Sequence, residues 1–217
     1  MVIKARNKIY IIYSFFLILN ILLFTYNIIN KTQWALDILF STLIITGILL
    51  ASKKLEITPL GFLLINLGFL LHNLGSFGFY SKTFGSFEYD NIVHLFASIT
   101  AAYVVFNLIG HKLHIKKNKR IKKTVIDYNK ILLILLVIAS VSMLGTLVEL
   151  IEFSGFLYLW EGEGLFFIGI GDSNHGGDTI EGQYVDTMND IFVNTIGSII
   201  GIILFYKFRY KKNYWLN

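Results

Sequence analysis

The sequence predicts an all-α fold: a polytopic transmembrane helical bundle of about six spans with both termini cytoplasmic. Three observations predict it. Hydrophobic residues make up 55% of the 217 residues and charged residues only 15%, against about 25% in an ordinary soluble domain. Apolar residues gather in six long runs. Lysine and arginine gather on alternate connections between those runs.

The runs place spans near residues 9–29, 34–52, 57–79, 90–110, 131–153 and 188–206, all in one integral membrane domain. Most approach the ~20 residues that cross a hydrocarbon core of ~30 Å. The second is short unless it begins near Trp34. The last three extend into their flanking acids. The first run follows Lys4, Arg6 and Lys8 in the manner of a signal peptide. It is too long for one and lacks a small-residue cleavage site near its end, so it reads as a retained span.

Orientation follows from the cations. The N-terminus, Lys53–Lys54, the 111–130 loop and the C-terminal tail fall on one side and hold 17 of the 19 Lys and Arg. Only Lys31 and Lys82 fall on the other. The positive-inside rule makes the first side cytoplasmic. Of 14 acids, only Glu56 and Asp127 lie there. The expected setting is therefore the cell membrane, multi-pass, with membrane lipids as surroundings. The run "KKNKR" and the net charge of +5 are explained by this rule and imply no nucleic acid. With no cysteine, disulfides, thiolate metal sites and a cysteine nucleophile are excluded.

The same topology collects ionisable residues at the extracytoplasmic side. Span three carries His72 near its outer end. Span four opens with "EYDNIVHLF", bearing Asp90 and His94. Span five closes with "LVELIEF", bearing Glu149 and Glu152. Span six opens with "YVDTMNDIFVN", bearing Asp186, Asp190 and Asn194. The spacings are i,i+4 for Asp90 and His94, i,i+3 for the two glutamates, and i,i+4,i+8 in span six. Each set therefore lies on one helical face. Gly145 shares the Glu149 face, and Gly197 and Gly201 continue the Asn194 face as G-x-x-x-G. In lipid, small residues let helices approach closely.

Five ionised carboxylates cannot share a low-dielectric pocket. Either several carry protons or cations neutralise them. Mixed imidazole and carboxylate donors suit a divalent zinc, manganese or iron, and an all-oxygen set would suit magnesium or calcium. The expected metal ligands are His72, His94, Glu149, Glu152, Asp186 and Asp190. The expected catalytic residues are Asp90, His94 and Glu149, with Asp90 orienting His94 or acting as general base. Plainer roles compete with these. Asp90 and Asp186 could cap helices, and His72 could be a packing histidine. Glu149 and Glu152 resist such roles, because acids at a helix C-terminus oppose its dipole.

The longest extracytoplasmic segment, 154–187, is glycine-rich and acidic and joins the two acid-bearing spans. Such loops often serve as lids or clamps. Its "DSNHGGDTIEGQ" has Gln183 where a calcium loop needs a terminal glutamate.

Four blocks, "HNLGSFGFY", "EYDNIVHLF", "LVELIEF" and "GQYVDTMNDIFVNTIG", resemble in this order those of the YjdF-like family of integral membrane proteins. The matching positions are His72, Gly75 and Tyr80, then Tyr89, Asp90 and His94. They continue with Glu149, Glu152 and Phe153, and end with Asp186, Thr187, Asp190 and Gly197. "DIFVNTIG", with Asp190, Asn194 and Gly197, is more distantly similar to VanZ-like proteins, which are linked with glycopeptide-antibiotic tolerance and the cell envelope. The resemblance implies a shared site and no particular reaction.

The functional expectation is a metal-dependent hydrolase or transferase acting on an envelope or lipid substrate at the outer boundary. The alternatives are a proton- or cation-coupled transporter and a non-catalytic structural or assembly factor. The topology is testable alone: reporter fusions at Lys117 and Asn174 are expected on opposite sides of the membrane. Finding both on one side would remove the orientation and the common depth of the acids.

Overall fold

The structure, a computed structural model, describes residues 2–32, 34–85, 87–112, 128–159 and 179–209. Six helices carry the fold: α1 (Val2–Ile29), α2 (Trp34–Ala51), α3 (Pro59–Asn73), α4 (Tyr89–Lys112), α5 (Tyr128–Leu159) and α6 (Ile180–Arg209). All six are long and apolar enough to cross a membrane. Polarity is arranged for lipid. Asn27, Asn66, Asn73, Ser41 and Ser198 are fully buried, while Ile11, Phe15 and Leu50 face outward.

Local chemistry sets several boundaries. The single proline, Pro59, starts α3, where its missing N–H costs nothing. Thr58 caps that helix, its hydroxyl accepting from Gly61 N at 3.1 Å. After α3 come two 3-10 turns, Leu74–Phe77 and Phe79–Ser81, hinged at Gly78 with φ 72°. A short antiparallel ribbon follows, β1 (Thr83–Phe84) with β2 (Phe87–Glu88). It turns at Gly85, where φ is 70°, a value that glycine adopts without strain. This ribbon is an addition to the all-α expectation.

Helices consecutive in sequence run antiparallel, so α1 is parallel to α3 and α4 to α6. The Tyr26 ring near the end of α1 packs 5.2 Å from Phe77, just beyond α3. Trp34 at the start of α2 stacks on Tyr80 at 5.5 Å, and Tyr80 meets Tyr89 at the start of α4 at 5.5 Å. Asn91 of α4 reaches Asp190 of α6 at 3.3 Å. Helices α1–α3 form one set and α4–α6 another, joined mainly by α3 against α4. Away from the polar end, each set closes on an apolar cluster: Ile9, Ile45 and Phe62 in the first, and Phe106, Leu133, Val137 and Phe205 among others in the second.

The most extensive helix contact is α4 with α6, and glycine makes it close. A Cβ on Gly197 would lie 2.7 Å from Ser98 Cβ, and one on Gly201 would lie 2.8 Å from Ala102 Cβ. On α5, a Cβ on Gly145 would lie 2.7 Å from the Asn194 amide nitrogen. The expected role of these three small residues is thus realised.

Two expectations about helix ends need correction. Helix α5 continues to Leu159, so Glu149 and Glu152 lie ten and seven residues before its last residue. The dipole effect fades within one turn, so it does not act on them. Helix α6 begins at Ile180, so Asp186 cannot be its cap. Thr179 takes that role, its hydroxyl accepting from Gly182 N at 3.1 Å. The helices therefore extend into the segment expected as loop 154–187. Its remainder at 160–178, including His175, lies outside the described residues.

Gly197→Val is expected to destabilise the fold by about 1–3 kcal/mol through overpacking. Gly47→Ala, where nothing lies within 4 Å of the added Cβ, is expected to be neutral or mildly stabilising. Thermal unfolding in detergent checks the pair, and equal melting temperatures would contradict the tight α4–α6 contact.

Candidate functional site

Helix α4 starts with a reciprocal device. Asn91, its third residue, turns its side-chain oxygen back to accept from Glu88 N at 3.4 Å, one half of a capping box. The Asn91 amide then donates to Asp190 Oδ1 on α6. The residue that ends the ribbon and begins the helix thereby also aims an acid of another helix. Asp90, beside it, faces His94 one turn on, with Oδ2 at 3.4 Å from Nε2.

His94 is the centre of the site. Its Nε2 faces Asp90, while its Nδ1 stands 3.4 Å from Glu149 Oε1 and 3.2 Å from the Asn194 amide nitrogen. The Ser98 hydroxyl donates to Asn194 Oδ1 at 2.6 Å, which turns the Asn194 NH₂ toward His94. An amide donor at Nδ1 leaves the ring proton on Nε2, directed at Asp90. The one Nδ1 lone pair accepts from Asn194, so an ion on the side of Glu149 and Glu152 would have to displace that hydrogen bond.

Two groups of ligand-capable atoms result, each within 4.8 Å of one another: Asp90, His94 and Asp190, and His94, Glu149 and Glu152. Asp90, Glu149 and Asp190 are buried, and His94 and Glu152 are partly so. Among the described residues, Glu149 Oε1 has no hydrogen-bond donor although it is buried. A buried carboxylate oxygen without a donor is costly. A proton or a cation at that oxygen removes the cost.

The sequence-predicted residues therefore separate. His94, Glu149, Glu152, Asp190 and Asp90 come together. Asp186, half-buried one turn before Asp190, lies outside both groups, as does His72. The His72 ring is engaged elsewhere: its Nδ1 lies 2.8 Å from the Tyr80 hydroxyl, and its Nε2 lies 3.7 Å from Asp37 Oδ1 on α2. Trp34 packs edge-on against the His72 ring at 5.6 Å. A Cβ on Gly75 would overlap the Trp34 indole, so only glycine fits beneath it. His72, Gly75 and Tyr80 of "HNLGSFGFY" thus share one physical task, building a buried imidazole pocket against α2. The Tyr89 hydroxyl pins its wall by donating to Leu71 O at 2.8 Å.

Asp37, fully buried, was not among the residues singled out from the sequence. Its signal was present: it is the lone acid in an otherwise uncharged span, and ionisable residues in spans are rare without a function or a partner. Asn91 and Ser98, which with Asn194 orient the acids and His94, carried a weaker signal. Asn and Ser are common in spans.

The chain belongs to DUF2238, a family of predicted membrane proteins whose model matches residues 10–211 and so takes in almost all of the six helices. No curated protein and no solved structure matches it.

If Asp37 and His72 act as a pair, Asp37→Ala and His72→Ala will not be additive. A double-mutant cycle on unfolding free energy is expected to return a coupling of about 0.5–3 kcal/mol. Additive costs would mean that the two side chains do not support one another.

Proposed function

We propose that this membrane protein is a divalent-metal-dependent hydrolase or transferase acting in the cell membrane, at its extracytoplasmic side, on an envelope or lipid substrate. One observation carries the reading: the buried Glu149 Oε1 has no hydrogen-bond donor among the described residues and faces His94 Nδ1. Glu152, one turn on, completes a nitrogen-and-oxygen donor set of the kind that suits zinc, manganese or iron. Ligand atoms at about 2.0–2.2 Å from an ion would require these side chains to move inward and the Asn194 amide to release Nδ1.

The donors divide the work. His94, Glu149 and Glu152 would hold the ion, while Asp90 keeps the His94 proton on Nε2, the carboxylate–histidine arrangement that orients a metal ligand. Asp190, held by Asn91, groups with Asp90 and His94 and would serve as the base that takes a proton from water. A bound divalent ion supplies Lewis acidity and lowers the pKa of its water. His72 and Asp186, expected as ligands, would support this site from outside.

The envelope substrate rests on the distant likeness of "DIFVNTIG" to VanZ-like proteins, and the cell membrane on the distribution of Lys and Arg. A proton- or cation-coupled relay has less support. Beyond the acids, α4, α5 and α6 meet through Ala102, Phe106, Leu133, Val137 and Phe205, and the buried polar residues there, Thr100, Asn107 and Ser198, are not ionisable. A structural role for the acids would leave Glu149 Oε1 needing a proton.

Protein purified without chelators is expected to contain a divalent transition metal by elemental analysis, and Glu149→Gln with Asp190→Asn is expected to abolish it. Wild-type protein that is metal-free, stays so after soaking in zinc and manganese, and gains no thermal stability would reject the reading.

A further inference from the structure

The ribbon between α3 and α4 presents an apolar face that none of the described residues covers. Phe84 and Phe87 are directly paired across its two strands, so their rings stand on the same face. They are 56% and 64% exposed. Phe77 and Phe79, in the two preceding turns, are exposed as well. A two-stranded ribbon is marginal in water on its own, and a contiguous apolar surface marks a contact with something.

We propose that this segment, Phe77 to Phe87, is seated in the extracytoplasmic leaflet, with its phenylalanines among the upper acyl chains and Lys82 at the lipid phosphates. Three observations choose lipid as the occupant. Phe77, at one end of the segment, packs against the exposed Tyr26 of α1, and Leu22, Ile18 and Ile29 extend that outward surface along the helix. In a six-span protein that surface faces hydrocarbon. The segment joins the end of one span to the start of the next, which sets it at the membrane–water boundary, where aromatic rings concentrate. Lys82 beside the rings is exposed, and a lysine there can lie along apolar surface while its ammonium meets phosphate.

The segment cannot turn its rings inward. Tyr80 is buried against Trp34 and Tyr89, and Tyr89 N donates to Lys82 O at 3.0 Å, closing the base of the ribbon. Helix α4 starts at the next residue, and Asp90 is its second. The approach to Asp90 and His94 would then border lipid on this side. The inference stands whether or not a metal binds.

The chain has no cysteine, so single cysteines can be labelled uniquely. Nitroxides at Phe84→Cys and Phe87→Cys would be compared with Leu22→Cys on the α1 surface and Lys53→Cys in the exposed α2–α3 turn. The protein would be reconstituted in phosphatidylethanolamine–phosphatidylglycerol vesicles. Collisions with oxygen and with a water-soluble nickel chelate are the readout. Labels at 84 and 87 are expected to follow Leu22, with oxygen dominating, and Lys53 to show the reverse. Nickel dominating at 84 and 87 would place the ribbon in water and overturn the inference. Exclusion of both reagents would mean that another protein surface, such as a second copy, covers the face, and would overturn it equally. Phe79→Cys repeats the measurement at a position outside the paired strands, should a label at 84 or 87 disturb the ribbon.

Discussion

The close approach of α4 to α6 is the contact on which the rest of the site depends. Gly197 and Gly201 leave no room for a Cβ against Ser98 and Ala102. Without that approach the Ser98 hydroxyl could not reach Asn194 Oδ1, and the Asn194 amide could not reach His94. In lipid, where apolar surface gives helices little reason to associate, contact of backbone with backbone and short polar side chains must hold them together. The same residues that pack the two helices set the orientation of the imidazole.

From this contact the electrostatics follow. Asp90, Glu149, Glu152 and Asp190 arrive from three helices around one histidine. A single imidazole cannot offset four acids, so protons or a cation must. The ring is held between unlike neighbours, Asp90 at one nitrogen and Asn194 with Glu149 at the other. That asymmetry gives the two nitrogens different tasks and makes the Glu149 side the natural place for a cation.

The second buried pair, Asp37 with His72, shows the same economy in the first three helices. Trp34, Gly75 and Tyr80 form a pocket around His72, and the Tyr80–Tyr89 contact joins that pocket to the start of α4. Among the described residues, the buried ionisable groups concentrate at one end, and apolar clusters fill the interior toward the other. A membrane protein arranged this way confines its chemistry to one depth.

The sequence by itself determined the class, the number of long apolar helices and the residues eligible for chemistry. Hydrophobic run length and helical period are local properties, and Asp90 with His94, or Glu149 with Glu152, needs only the period of one helix to share a face. Tertiary structure decided which eligible residues meet. His72 and Asp186 have the right type and lie at the right end, yet His72 turns to Asp37 and Tyr80, because the direction of a side chain depends on which helix lies opposite. Asp37 was legible as the lone acid of its span, but its partner, on another helix, was not. The extent of α5 and α6 was likewise beyond the apolar runs. Polar residues such as Gln183 and Glu181 can continue a helix, and hydrophobicity reports where lipid ends rather than where backbone hydrogen bonding ends.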